Sequence, residues 1–255
     1  MKAMASWATR NKLKYLSIFL VFLLVVIGIP LFFILNTPPS CNDGKQNGEE
    51  TGLDCGGLCL KLCAVDTPSP IVLWQRFFKV APGVYSATAY VENINSSAAV
   101  REVNYSFKLY DSNNILVTER KGRTFIPPHK VFAIFEGGIG TGERVPSRVV
   151  FQFTEAFDWE RSEYNDETLE VKNKVIKNET TAPRVEVTLF NPSVRKLFLL
   201  EIVAIVYDTN DNAVGASRTI IDELLSNGEH TIAFTWPGPF SGAVARIEIL
   251  HRLPL

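Results

Sequence analysis

The sequence predicts an all-β protein: two tandem β-sandwiches that follow one apolar helix and a small disulfide-linked segment. Three observations predict this. An uncharged apolar run occupies residues 16–35, all four cysteines lie between residues 41 and 63, and short β-type runs fill the chain from residue 71 onward. Those runs are rich in Val, Ile, Phe, Tyr and Thr and are separated by Asn, Asp, Gly and Pro, a pattern typical of strands and turns.

The apolar run predicts a transmembrane helix over residues 15–35. Its twenty residues from Leu16 to Leu35 are uncharged, and a helix of that length spans about 30 Å, the thickness of a bilayer core. Basic residues precede the run, namely Lys2, Arg10, Lys12 and Lys14, and no acid occurs before Asp43. The positive-inside rule then places residues 1–14 in the cytoplasm and the rest of the chain outside.

Two alternatives exist for this run. A cleaved signal peptide has an apolar region of about 7–15 residues and a small-x-small cleavage site. The run here is longer and ends in Phe-Ile-Leu-Asn-Thr-Pro-Pro without such a site. A buried core helix would carry polar residues on one face, and the run has almost none. An uncleaved membrane anchor is therefore favoured, in contact with the lipid bilayer through residues 15–35.

The charge balance argues against nucleic-acid binding. The chain has 26 Lys and Arg against 27 Asp and Glu, and four of the basic residues precede the apolar run. The part after the run is therefore mildly acidic, whereas phosphate recognition needs clustered Lys and Arg.

Residues 36–69 form a cysteine-rich segment between two Pro-rich linkers, 36–40 and 66–70. An even, clustered set of cysteines in an exported chain predicts disulfides. The set comprises Cys41, Cys55, Cys59 and Cys63. Spacing does not decide among the three possible connectivities. A zinc site is the alternative, although the Cys-x3-Cys spacing departs from the usual Cys-x2-Cys knuckle.

The same segment has the length of a calcium loop. Residues 43–54 are twelve in number, with Gly48 at position 6, as in an EF-hand. Lys45 at position 3 departs from that pattern. The candidate calcium ligands, at positions 1, 5, 9 and 12, are Asp43, Asn47, Thr51 and Asp54. Oxygen-rich turns are common without metal, so calcium is an alternative and no cofactor is the main expectation.

The β-type region repeats itself after about 97 residues. Residues 90–93 and 188–191 each end a strand in Asn, and the closing runs 148–153 and 246–250 correspond. In the first copy, strands are predicted over 85–91, 103–110 and 148–153, and the second of these places alternate apolar residues on one face. The acidic stretch 155–167 separates the copies, which gives sandwiches over 70–160 and 161–255. Only residues 221–225 suggest a helical turn.

Each copy contains a strand that ends in Tyr-Asp and is followed by Asn, Asp or Ser residues. Asn and Asp accept hydrogen bonds from their own backbone and tolerate the left-handed conformation, so this pattern predicts a hairpin turn. Tyr110 and Tyr207 are expected to cover the ends of the cores. Asp111 and Asp208 are expected to close the turns without a catalytic role.

Phe107-Lys108-Leu109-Tyr110-Asp111 spells F-x-L-Y-D and resembles the prokaryotic domain family named for that string. The second copy, 204–208, keeps only the Tyr-Asp pair. The segment from Cys41 to Cys59 resembles a short motif of surface and secreted proteins, C-x-D-G-x-x-N-G-x-E-x-G-x-D-C-G-G-x-C. The first resemblance implies small immunoglobulin-like sandwiches on exported, often membrane-anchored proteins, and it implies no activity.

No catalytic motif occurs in the sequence. The three histidines fit no zinc-hydrolase pattern, and no nucleophile elbow or phosphate loop is present. The acids of the stretch between the copies, Asp158, Glu160, Glu163, Asp166 and Glu167, could be imagined as a glycosidase pair, but a charged linker explains them better.

We therefore expect a single-pass membrane protein of the cell envelope. Its two sandwiches are expected to act as a spacer that presents a binding surface to an envelope protein or the cell wall. The alternative is an envelope enzyme, such as a glycan or peptide hydrolase, whose site is assembled from loops.

Overall fold

A computed structural model describes residues 7–35, 39–163 and 169–255. Lys2, linker residues 36–38 and the acids Asp166 and Glu167 lie outside these ranges. The chain forms two compact units, Met1–Asp54 and Cys55–Leu255.

The predicted apolar helix is present and is longer than expected. Helix α1 comprises Trp7–Leu35, and Pro30 lies within it. Its part from Arg10 to Ile34 is long and apolar enough to cross a membrane, and none of it is buried within the protein. A signal sequence meets the same criterion, so the anchor and its orientation belong to the proposal below.

The rest of the described chain is built from β-strands, which confirms the predicted fold class. The strands of the first half are β1 Ile71–Ala81, β2 Val84–Asn93, β3 Ala98–Tyr110, β4 Leu116–Ile126, β5 Lys130–Gly140, β6 Arg148–Phe153 and β7 Glu160–Arg161. Those of the second half are β8 Glu170–Lys177, β9 Arg184–Phe190, β10 Leu197–Asp208, β11 Ala213–Leu224, β12 Glu229–Thr235 and β13 Val244–Arg252.

The two halves have the same topology. The first contains the antiparallel sheets β1-β2-β5 and β4-β3-β6, with the short β7 paired to β3. The second contains β8-β9-β12 and β11-β10-β13, which is the same order displaced by seven strands. Each pair of sheets encloses its own hydrophobic core. The repeat in the sequence therefore corresponds to a repeat in strand order. We call the two halves sandwich 1 and sandwich 2.

The first core is aromatic. As the alternation in β3 predicts, its inward residues are all buried, namely Val103, Tyr105, Phe107 and Leu109. Phe107 contacts Phe151 with ring centroids 4.9 Å apart, and the ring contacts continue through Phe153 and Phe157 to the buried Trp159.

Close packing in this core requires a glycine in β4. The hydroxyl of Tyr105 donates a hydrogen bond to Glu136 (2.7 Å). A Cβ on Gly122 would lie 2.4 Å from that hydroxyl oxygen, so any larger residue would displace the tyrosine.

The second core is mostly aliphatic, and it corrects one prediction. The sequence suggests a helical turn at residues 221–225. Strand β11 instead continues through Leu224, with Ile221 paired to Leu200 and Leu224 to Leu197. Both residues are buried in the core, so the pairing with β10 decides the local structure.

The acidic stretch predicted as a linker is largely packed on sandwich 1. The backbone N–H of Leu62 donates to the carbonyl of Trp159 (2.8 Å), and that of Arg161 donates to Leu60 (2.7 Å). Lys61 forms an ion pair with Asp158 (3.0 Å). Residues 55–63 therefore belong to the sandwich unit. The described part of the acidic stretch joins them to sandwich 1.

The outer faces of the two sandwiches pack against each other. Sheet β1-β2-β5 contacts sheet β11-β10-β13 through a third hydrophobic cluster. In β10, Ile202 and Ala204 face the second core, whereas Val203, Ile205 and Tyr207 face sandwich 1. The sandwiches thus stack face to face in four layers, an arrangement that the sequence analysis does not address.

A buried asparagine ends β2 and β9 at equivalent places. The amide nitrogen of Asn93 donates to the carbonyls of Ala98 and Pro127 (both 2.8 Å), and its oxygen accepts the backbone N–H of Asn95 (3.1 Å). Asn191 bonds in the same way to Arg195, Leu225 and Ser193. Each side chain therefore joins the loop after its own strand to a second chain segment.

We expect Asn93→Ala to lower the free energy of unfolding by about 2–3 kcal/mol, because two buried carbonyls lose their donor. The isosteric Asn93→Asp should cost at least as much, since it places an oxygen where the donor was. Urea unfolding of the full chain in detergent, followed by tryptophan fluorescence, measures both. Wild-type stability of Asn93→Asp would contradict this role.

Candidate functional site

The interface between the sandwiches is fixed by an aromatic and acidic cluster. The Trp74 ring stacks on Tyr90, with centroids 5.1 Å apart, and meets Tyr207 edge-on at 6.5 Å. The hydroxyls of both tyrosines donate hydrogen bonds to Glu248, at 2.8 and 2.9 Å. Arg246 lies 3.8 Å above the Tyr207 ring and donates to Glu248 at 3.3 Å.

These contacts keep the tyrosines protonated. Burial, followed by the hydrogen bond to Glu248, raises the pKa of both Tyr90 and Tyr207 above the ordinary value. The Glu248 carboxylate accepts hydrogen bonds from both phenol groups and from Arg246. Because Tyr90 belongs to sandwich 1 and Glu248 to sandwich 2, this carboxylate links the sandwiches.

A second link lies at the last strand. The buried Arg252 donates to Glu201 of β10 (2.8 Å) and to the carbonyl of Phe125 in sandwich 1 (3.0 Å). Its guanidinium also lies 4.5 Å from the Phe125 ring and 5.3 Å from Phe132. Only 5% of the Arg252 side chain and 12% of the Glu201 side chain are exposed.

A cleft of about 740 Å³ opens beside this interface, within the sandwich unit. It is lined by 75–79 of β1, 147–150 at the start of β6, 213–214 of β11, and Pro239 and Ser241 of the loop before β13. Successive side chains of a strand point to opposite faces. Because consecutive residues line the cleft, β1 and β6 present their edges to it.

These edges have no neighbouring strand in the described ranges. β1 pairs with β2, β6 with β3 and β11 with β10, and each lies at the margin of its sheet. Side chains form hydrogen bonds with two of the backbone groups at these edges. The N–H of Phe151 donates to the Gln75 side chain (3.4 Å), and the Trp236 indole donates to the carbonyl of Ala216 (3.3 Å).

The cleft is basic. Its lining contains Arg76, Lys79 and Arg148 and no Asp, Glu or His. Arg76 donates to the neutral amide of Asn212 (2.9 Å), and Arg148 donates to Asn114 (3.2 Å) while lying over the Tyr110 ring at 4.8 Å.

Lys79 and Asp208 further determine the charge at the cleft. The side chain of Lys79 is exposed and makes no hydrogen bond or ion pair with the described residues. The nearby Asp208 has a lowered pKa, first because the backbone N–H of Asn212 donates to it and, to a smaller extent, because of the charge on Arg76. The three cations of the lining therefore form no ion pair with a described carboxylate, although Arg76 lies close enough to Asp208 to lower its pKa.

The predicted turn residues close two matching turns. Asp111 accepts the N–H groups of Asn113 and Ile115 (both 2.9 Å), and Asp208 accepts those of Asn210 and Asn212 (2.9 and 2.8 Å). These bonds are those of a turn-closing aspartate.

The two predicted tyrosines have different surroundings. Each ring lies under an arginine of the closing strand of its sandwich, Arg148 over Tyr110 and Arg246 over Tyr207. Tyr110 is half-buried, whereas Tyr207 is 5% exposed and belongs to the interface cluster. Tyr207 therefore packs in the contact between the sandwiches and does not only cover the end of one core.

The cysteines form disulfides, as predicted. Cys55 is bonded to Cys63, with their Cα atoms 5.1 Å apart, and Cys41 and Cys59 are disulfide-bonded as well. Cysteines in disulfides cannot supply the thiolates that the zinc alternative requires.

We expect alkylation of the native protein without reductant to label no cysteine, because all four are bonded. Mass spectrometry of a digest should find one peptide pair linked through Cys55 and Cys63. Labelled thiols on the native protein would contradict this and restore the zinc alternative.

The predicted calcium loop is closed by its own hydrogen bonds. The carboxylate of Asp54 accepts the N–H groups of Asp43 and Gly44 (3.0 Å each), and the amide nitrogen of Asn47 donates to Asp43 (2.7 Å). Thr51 is exposed. Asp43, Asn47 and Asp54 thus lie close together, but the carboxylates of Asp43 and Asp54 accept hydrogen bonds from N–H groups. Calcium would need those oxygens as its ligands. Calcium binding stays a prediction.

The other titratable candidates do not converge. Glu160 pairs with Arg101, Asp158 pairs with Lys61, and Glu163 is exposed. His129 lies in the turn before β5 with a φ of 45°, and His230 is exposed in β12. The basic cleft has no signal in the sequence, because its cations lie on strands far apart in the chain.

No family model matches the chain, and no curated protein matches it significantly. Solved structures similar to it include red sea bream transglutaminase, with 11% identity and a TM-score of 0.22 over 72% of this chain and 31% of that one. A family 2 glycosyl hydrolase from Bacteroides cellulosilyticus gives 11% identity and a TM-score of 0.23 over 68% and 27%.

A calcium-binding domain of CALX1.1 gives 12% identity and a TM-score of 0.20 over 70% of this chain and 80% of that one. The chain thus spans about a third of the first two proteins' length. Likenesses this distant assign neither a family nor an activity.

Proposed function

We propose that this chain is a membrane-anchored binding protein of the cell envelope that recognises a partner through the basic cleft. The observation that carries the proposal is the cleft itself. It contains three cations that form no ion pair with a described carboxylate. It also contains three sheet edges that pair with no further strand among the described residues. An open, positively charged groove of this kind favours binding of an anionic partner.

A non-catalytic role is supported by the use of the buried acids. Glu136 accepts hydrogen bonds from Tyr105 and Arg120. Glu248 accepts hydrogen bonds from Tyr90 and Tyr207, and Glu201 forms an ion pair with Arg252. Each carboxylate is therefore engaged in a contact that joins strands or sheets. A hydrolase would need convergent acids or histidines at its cleft, and the lining here contains neither.

The anchor is supported by α1 and by the basic residues at its start. With Arg10, Lys12 and Lys14 inside, the sandwiches lie on the outer face, where disulfides persist. Protease added to intact cells should remove the sandwich unit and leave the helix in the membrane. A protected unit, or one found in the soluble fraction, would overturn the membrane-anchored part of the proposal.

The binding role is tested by photo-crosslinking in native membranes. A photoreactive amino acid is placed at Val214, which lines the cleft, and at Val175 on the exposed strand β8 as the matched control. We expect an adduct at Val214 that Lys79→Glu abolishes, and none at Val175. No adduct at Val214, or the same adduct at both positions, would overturn the role of the cleft.

A further inference from the structure

We propose that the cleft takes an extended acidic peptide segment, which binds as an added β-strand on the edge of sandwich 1. This inference rests on the proposed function and names the class of its partner.

The backbone of β1 and β6 supplies the first argument. Alternate N–H and C=O groups of an antiparallel edge strand point away from its only neighbour. β1 lines the cleft with five consecutive residues, Gln75 to Lys79, which span about 17 Å at 3.3 Å per residue. The N–H of Phe151, which bonds the Gln75 side chain, shows that β6 also turns backbone groups away from β3. An extended peptide of five or more residues can therefore pair with this edge.

The charges select an acidic segment. Arg76 and Lys79 lie on β1, and Arg148 lies on the facing strand β6. The apolar lining between them includes Val149, Val150 and Val214. A strand that alternates acidic and β-branched residues would present its carboxylates on one face, where they meet Lys79, and its apolar side chains on the other face.

The rings in the cleft favour a peptide over a sugar. Phe77 contacts Tyr85 in the first core, with centroids 5.9 Å apart, and Phe78 packs on the interface cluster. Both rings are therefore engaged in packing and do not form an open stacking platform. What the edge offers is main-chain donors and acceptors, which a peptide matches.

The test uses the full chain in detergent micelles and fluorescence anisotropy. The probe is a labelled, end-capped nine-residue peptide of alternating Val and Glu. Two further versions carry N-methyl groups on alternate residues, one for each set of N–H groups. We expect one N-methylated version to bind at least tenfold more weakly, because a paired strand loses its hydrogen bonds.

Charge variants locate the binding. Lys79→Glu should weaken binding about tenfold, because Lys79 has no other bond to lose. The control Lys121→Glu makes the same charge change at an exposed residue of β4 outside the cleft, and it should bind as the wild type does.

The other outcomes overturn the inference. Equal binding of all three peptides, or of the wild type and Lys79→Glu, excludes strand addition in this cleft. Binding of polygalacturonate that Lys79→Glu abolishes, without peptide binding, would make an acidic glycan the partner. That result, like an adduct at Val214 without peptide binding, rejects the peptide and leaves the proposed function standing. No binding together with no adduct rejects both.

Discussion

Replacing Arg252 by alanine is expected to lower the free energy of unfolding of the sandwich unit by about 3–5 kcal/mol. The substitution leaves Glu201 buried without its cation and removes the donor to the carbonyl of Phe125. It also removes the cation–π contacts of the guanidinium with the rings of Phe125 and Phe132.

Two further variants separate the cause from general disruption. Arg123→Ala breaks an exposed ion pair with Glu102, 62% exposed on both sides, and should cost less than about 1 kcal/mol. The double change Arg252→Met and Glu201→Leu replaces the buried pair by apolar residues and should recover much of the loss. Urea unfolding of the full chain in detergent measures all of these. A loss below 1 kcal/mol for Arg252→Ala would show that neither the pair with Glu201 nor the hydrogen bond to Phe125 stabilises the unit appreciably.

Tyr207→Ala is expected to cost about 3 kcal/mol, because it removes a buried ring from the interface cluster as well as the hydrogen bond to Glu248. Tyr110→Ala is the matched control at the equivalent turn. Its ring is half-buried and contacts Arg148, so it should cost about 1 kcal/mol. Equal losses in the two variants would mean that Tyr207 has no role beyond covering one core.

The same tyrosine should make stability depend on alkaline pH. Because the pKa of Tyr207 is raised in the folded protein, the folded state keeps its proton where the unfolded chain loses it. The stabilisation is therefore complete below about pH 10, the ordinary pKa of tyrosine, and it decreases as the pH rises further. Tyr90 and Tyr105 contribute in the same direction. Tyr207→Phe should reduce the slope of unfolding free energy against pH above 10, and an unchanged slope would contradict this.

The sequence allowed the fold to be predicted because alternation and turn chemistry are local. The apolar residues between Val103 and Leu109 recur at every second position and are all buried, and Asp111 closes its turn through N–H groups no more than four residues away. Those features need only the neighbouring chain. The predicted helical turn at 221–225 was wrong because its outcome depended on a partner strand.

The contact between the sandwiches and the cleft could not be predicted in this way. An alternating pattern marks one buried face, but β10 is buried on both, and a continuous apolar run does not indicate what covers the second face. Lys79 and Arg148 come together only after two sheets have formed and paired. Neither residue has a sequence signature that separates it from an ordinary surface cation.

The face-to-face stacking limits how these repeats can be inherited. A single copy cut from its partner would expose the apolar surface formed by Trp74, Phe78 and Tyr90 on one side, or by Val203 and Ile205 on the other. It would also lose one wall of the cleft. Gain or loss of one repeat would therefore yield an aggregation-prone protein without its groove, so the pair is the smallest portion that recombination can transfer intact.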